Sequence, residues 1–128
     1  LEISHSAKMV GFQEDGRAII GALDAFVLSS AMDICSRAIL EAMAMKTPII
    51  ASRVGGNPEL VMHEETGLLF DYGDVQGLVN VMERMIKDPG ERERFVLKSY
   101  DKVQSQFSME DYLSKVEEIY GEVIQVRD

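Results

Sequence analysis

The stretch SSAMDICSRAILEAMAMKTPIIASRVGGNPELV, residues 29–61, decides how this chain folds. Its middle part, TPIIAS (47–52), is a short apolar run rich in β-branched residues, as a strand buried on both faces is. Before it, AILEAMAM (38–45) repeats apolar residues with helical spacing and holds one polar residue, Glu41. After it, Gly55-Gly56 supplies a permissive turn, Asn57 a helix N-cap and Pro58 a first helical position. The stretch therefore predicts helix, strand, turn and short helix. The helix is expected from about Ile34 to Lys46, with Asp33 as its N-cap.

Working outward, DAFVLSS (24–30) is a second continuous apolar run and is expected as a strand buried on both faces. TGLLF (66–70) is a third strand. AKMVGF (7–12) reads as a further short strand, and Ile19, Ile20 and Leu23 in QEDGRAIIGAL (13–23) have helical spacing. Three longer helices follow: residues 71–88, a second opened by Pro89, and a last over about 108–124. Ser108 caps the last one, with Asp111 three residues on, close to a capping box. Alternating strands and helices imply a parallel α/β sheet. Three or four strands are few for an open sheet of this kind. A chain that also opens at Leu1 rather than Met is expected to lack a preceding part.

The 128 residues fit a single domain spanning 1–128. The composition, 46% hydrophobic and 27% charged, is that of a water-soluble globular domain. One cysteine excludes an internal disulfide framework and fits a reducing, cytoplasmic setting. No apolar window is long enough for a membrane span. A formal charge of −9 argues against a nucleic-acid binder, because such a surface repels phosphate backbones. It leaves room for one small phosphorylated ligand, since amides at a helix N-terminus bind phosphate without a basic patch.

In open α/β sheets ligands bind outside the C-terminal ends of the strands. Two segments fall there, SSAMDICS (29–36) and SRVGGNP (52–58). On an uninterrupted helix, Asp33, Arg37 and Glu41 form one stripe at i, i+4 and i+8. Such a stripe is either a solvated face bridged by Arg37 or a binding site. The narrow polar face around Glu41 favours a partner or a cavity for that carboxylate. Gly55-Gly56 serves either chain reversal or a close approach to a ligand. His5 and His63 stand apart, without metal-ligand partners at useful spacing, so no metal site is expected. Cys35 has no companion residues of a nucleophile.

As an ordered set, these segments resemble the donor half of retaining glycosyltransferases of the GT-B fold, in particular the large family 4. The resemblance lies in Ser29-Ser30-Ala31-Met32-Asp33, Leu40-Glu41-Ala42-Met43-Ala44, Thr47-Pro48-Ile49-Ile50-Ala51, Gly55-Gly56-Asn57-Pro58-Glu59 and Thr66-Gly67-Leu68-Leu69. It is good over about residues 8–90. It implies a Rossmann-like partial parallel sheet with C-terminal helices, and transfer of a sugar from a nucleotide-diphosphate sugar with retention and without a metal. The nucleotide sugar would be a substrate, and no cofactor is implied. The family's pair of acids falls on Asp33 and Glu41. Asp33 would meet hydroxyls of the donor sugar and Glu41 the ribose hydroxyls. The amides of Ile34, Cys35, Ser36 and Arg37 would lie by the sugar and diphosphate, with Gly55 and Gly56 as loop contacts.

Two departures from the family pattern stand out. Asp33 replaces a glutamate, and Ile34-Cys35-Ser36 replaces Gly-Phe-Gly. The family's diphosphate-neutralising basic residues and its acceptor domain lie upstream of the matching segment. The resemblance thus implies a partner N-terminal domain on which the last helix packs, inactivity of the 128 residues alone, self-association through that bared helix, and a cytoplasmic or peripheral membrane location. The other readings are a nucleotide-sugar epimerase of the same architecture and a non-catalytic or receiver-like α/β domain.

Overall fold

A computed structural model describes residues 3–125. The ends of the expected domain, Leu1, Glu2 and residues 126–128, lie outside the described residues. The elements in chain order are α1 (Gly16–Gly21), β1 (Phe26–Leu28), α2 (Arg37–Ala44), β2 (Ile49–Ser52), α3 (Asn57–Leu60), β3 (Leu68–Phe70), α4 (Val75–Lys87), α5 (Pro89–Gln106) and α6 (Met109–Gln125). The strands form one parallel sheet in the order β1-β2-β3. Phe26 pairs with Ile49 and Leu28 with Ala51, while Ile50 pairs with Leu68 and Ser52 with Phe70.

The period of two along β2 sends alternate side chains to opposite faces. Ile49 and Ala51 join Ile39, Ala42 and Met43 of α2, with Leu60, Val61, Leu69 and Val103. Ile50 joins Leu68, Phe70, Met85 and Phe95 on the other face. Each large apolar side chain fully buried this way contributes about 1.5–3 kcal/mol. Helix α5 supplies Phe95 to one cluster and Val103 to the other, so it ties the two layers together.

Several caps follow the sequence. Asp88 ends α4 and also caps α5, its carboxylate accepting from the Glu91 amide at 2.9 Å, and Pro89 occupies the first turn. The Ser108 hydroxyl accepts from the Asp111 amide at 3.1 Å and starts α6 as expected.

Four expectations fail locally. Residues 7–12 form no strand; they lie exposed, with Met9 98% accessible, and among the described residues no strand pairs with their backbone. The β1 run is half-buried rather than buried on both faces: Phe26 and Leu28 pack on the cluster that α2 covers, while Val27, on the opposite face, is left exposed. Helix α2 starts at Arg37, not Ile34, and its N-cap is Ser36, whose hydroxyl accepts from the Ile39 amide at 3.4 Å. Asp33 is drawn out of the helix because its carbonyl accepts from the Gly56 amide at 2.9 Å. In α3 the N-cap is Gly56; Asn57 is the first helical residue and its side chain turns inward.

Candidate functional site

The C-terminal ends of β1 and β2 carry two loops, residues 29–36 and 53–56, and these are interlocked. The Ser52 hydroxyl, at the end of β2, donates to the Ser30 carbonyl at 2.7 Å. The Ser52 carbonyl accepts from Asn57 Nδ2 at 3.0 Å and from the Val54 amide at 2.9 Å. The Arg53 amide donates to the Phe70 carbonyl at 2.7 Å, which ties the second loop to β3. A side-chain carbon on Gly55 would lie 1.9 Å from the Asp33 carbonyl oxygen, and one on Gly56 would lie 1.9 Å from that of Ile34. The glycine pair is therefore packed on backbone. Its close packing thus has a role within the fold, in joining the two loops. Gly55 also has φ +49, a left-handed turn that disfavours any side chain.

The consequence for the first loop is specific. Its carbonyls at Asp33 and Ile34 face the glycine turn, so the peptide planes are set. Among the described residues, no backbone amide from Asp33 to Ala38 donates to an acceptor within the protein. Those of Arg37 and Ala38 belong to the first turn of α2, where helix amides lack internal partners and the helix dipole is positive.

The expected site residues fall into place unevenly. Asp33 is half-buried, Ile34 and Cys35 are exposed, Ser36 is buried, and Arg37 is exposed. Glu41 lies one turn beyond Arg37 on α2, half-buried. Asp33 lies off the helix, so the predicted three-residue stripe does not form. Among the described residues, neither Asp33 nor Glu41 pairs with Arg37. The solvated-bridge reading of these residues thus has no contact behind it, and both carboxylates remain available as acceptors.

Side chains beneath and beside the loops also shape the site. Ser30, Ser52 and Asn57 join the loops from below. Lys102 of α5 donates to the carbonyls of Glu59 and Leu60, at 2.5 and 3.0 Å, and closes the end of α3. Burial lowers the Lys102 pKa, a cost accepted to hold that contact. Asn before Pro has the signature of a cap, and here Asn57 instead turns its side chain inward. Nothing in local pattern indicates a serine hydroxyl reaching across two strands.

A family model described as "Glycosyl transferases group 1" matches residues 1–102. The lipopolysaccharide core biosynthesis glycosyltransferase LpsE of Rhizobium meliloti is 32% identical over 86% of this chain and 32% of its own length. N-acetyl-alpha-D-glucosaminyl L-malate synthase of Bacillus anthracis is 30% identical over 98% of this chain and 33% of its own length. Among solved structures, HepE of Anabaena in complex with UDP superposes with a TM-score of 0.87 at 27% identity, over 90% of this chain and 32% of that one. HepE in complex with UDP-glucose gives 0.85 over the same shares. The chain spans about a third of the length of the curated relatives it matches.

Proposed function

The chain belongs to the group 1 glycosyl transferases, and on that premise we propose that it is the nucleotide-sugar-binding part of a glycosyltransferase of the GT-B architecture. The observation that carries this reading is the run of unpaired amides from Asp33 to Ala38, held outside the strand ends by the glycine turn. Amides at a helix start suit a diphosphate. The naming of relatives as glycosyltransferases and the UDP and UDP-glucose bound to HepE support the same assignment.

In this reading the diphosphate lies at the amides of Ile34, Cys35, Ser36 and Arg37. Glu41 accepts hydrogen bonds from the ribose hydroxyls, and Asp33 from hydroxyls of the sugar. A carboxylate is acceptor-only and suits paired hydroxyls. Sugar transfer retains the anomeric configuration and uses no metal. The departing diphosphate is stabilised by oriented donors, as other developing oxyanions are. The acceptor is held by a further domain, so the 128 residues alone bind donor weakly and transfer nothing.

Helix α6 fits that division of labour. Tyr112, Ile119, Tyr120 and Val123 are each more than half exposed, while Val116 is half-buried. The apolar face packs on the acceptor domain in the whole protein, and in its absence on a second copy. Sedimentation of the chain as a strict monomer at high concentration would refute the second statement.

Titration of the chain with UDP, followed by amide NMR, tests the site. Shifts at residues 33–41 and 53–57 are expected, with UDP-glucose adding changes near Asp33. No shift at millimolar nucleotide would overturn binding by this chain.

A further inference from the structure

Asn57 is fully buried, and its Oδ1 has no hydrogen-bond partner. A buried unpaired acceptor costs free energy that an apolar residue at the same place would not. The half of the amide that makes a contact is the donor. Nδ2 holds the Ser52 carbonyl, and the Ser52 hydroxyl holds the Ser30 carbonyl in the first loop. Ser52 is likewise fully buried. The residue before Asn57, Gly56, donates its amide to the Asp33 carbonyl. Asn57 therefore stands where two routes into the first loop meet, one through Ser52 to Ser30 and one through Gly56 to Asp33.

We propose that Asn57, acting through Ser52 and Gly56, is a positioning residue that sets the orientation of the amides from Asp33 to Ala38. The inference rests on the donor-site reading above for its functional meaning. Asn57 does not touch ligand: it is enclosed beneath the turn. Its effect on binding passes through the peptide planes of the first loop. Burial within the protein makes the effect strong, because a fixed donor array needs no reorganisation when an anion arrives.

The test uses Asn57→Leu, which removes the donor at similar volume without burying a charge, and Ser52→Ala, which removes the hydroxyl at little cost in volume. Ser52→Ala also covers the case in which Asn57→Leu fails to fold. Amide NMR spectra are recorded first without ligand, then with UDP. In the ligand-free spectra, the resonances of residues 30–38 are expected to move in both variants, although neither substitution lies in that segment. UDP affinity is expected to fall at least about fivefold at a temperature where circular dichroism shows full folding. Movement confined to residues 52–60, with residues 30–38 unchanged, overturns the proposal. A role in stability alone would lower the melting temperature and leave the folded protein's UDP affinity intact, which also overturns it. If the parent chain binds no UDP, the binding assignment fails, and the ligand-free spectra still decide the positioning role.

Discussion

Replacement of Gly56 by alanine is the most direct probe of the interlocked loops. Gly56 has an ordinary φ of −82, so alanine meets no backbone strain there. The added carbon would, however, lie 1.9 Å from the Ile34 carbonyl oxygen. Carbon and carbonyl oxygen approach to about 3.3 Å at closest. The first loop must therefore retreat by about 1.4 Å. The bond from the Gly56 amide to the Asp33 carbonyl, now 2.9 Å, would stretch to roughly 4.3 Å and cease to be one. That loss costs about 1 kcal/mol. Displacing two packed backbone segments costs about 1–3 kcal/mol more. The stiffer unfolded chain returns about 0.4–1 kcal/mol. The net expectation is a loss of about 2 kcal/mol, read as a fall of roughly 1–1.5 M in the urea midpoint at a typical slope. Two controls separate the causes. Gly73→Ala meets no atom within 4 Å but has φ +86, so it costs strain alone, about 1 kcal/mol. Gly16→Ala meets neither obstacle and is expected to be neutral or slightly stabilising. A Gly56→Ala midpoint within about 0.5 kcal/mol of Gly16→Ala would refute the packed-loop account.

Other outcomes follow from the same contacts. Glu41→Gln is expected to leave the melting temperature within a degree or two and to lower UDP affinity about tenfold, the loss of one charge-assisted hydrogen bond; equal affinities by calorimetry would remove Glu41 from the site. Lys102→Met removes both bonds to the end of α3 and relieves burial of the charge, for a net loss of about 1 kcal/mol in urea. An unchanged midpoint would show that α3 needs no external cap. The Arg84 guanidinium, bonded to both Glu91 and Glu64, holds each carboxyl below its ordinary value of 4.5. Carboxylates depressed on folding stabilise the protein above pH 4.5 and lose that contribution as pH falls through the lowered values. Glu91→Gln is thus expected to melt below the parent at neutral pH, with the gap closing below pH 4.5. A gap that widens in acid would contradict the pairing.

Much of the fold is legible in the sequence because its signals are local. TPIIAS and TGLLF are apolar runs bounded by turn formers, and they become β2 and β3. Asp88-Pro89 and Ser108 carry their own capping chemistry and start α5 and α6. The start of α2 is ambiguous in the sequence for a physical reason: Asp33 and Ser36 are both competent N-caps, and their local energies are similar. The choice is made by a contact 23 residues along the chain, where Gly56 takes the Asp33 carbonyl. Likewise, an apolar run cannot show whether other elements cover both of its faces, and in β1 the face that carries Val27 is left exposed. The narrow polar face singles out Glu41, and the family resemblance adds Asp33, as candidate acids. Neither signal marks Asn57, Ser52 or Lys102 as braces of the loops, since each acts through a bond that only the folded chain closes.

The electrostatics of the site constrain how the donor must be held. The chain carries −9, and a nucleotide diphosphate is also anionic, so long-range attraction cannot bring them together. Surface charges farther than about 8–10 Å are screened at physiological salt, so what decides binding is the first turn of α2 and its neighbours. Arg37 is exposed there without a carboxylate partner among the described residues, whereas Arg53, the next cation along the crevice, is paired with Asp71 at 3.3 Å. Among the described residues at the start of α2, one unpaired cation and a helix dipole worth about half a charge do not neutralise a diphosphate. In the proposed site, affinity for UDP is therefore expected to be weak and to rest on amide geometry. For that reason the loop interlock matters more here than it would in a site dominated by lysines, which tolerate displacement. A donor array that relies on orientation loses most of its value when its peptide planes turn, and in this chain the planes are set by two glycines, two serines and one buried asparagine.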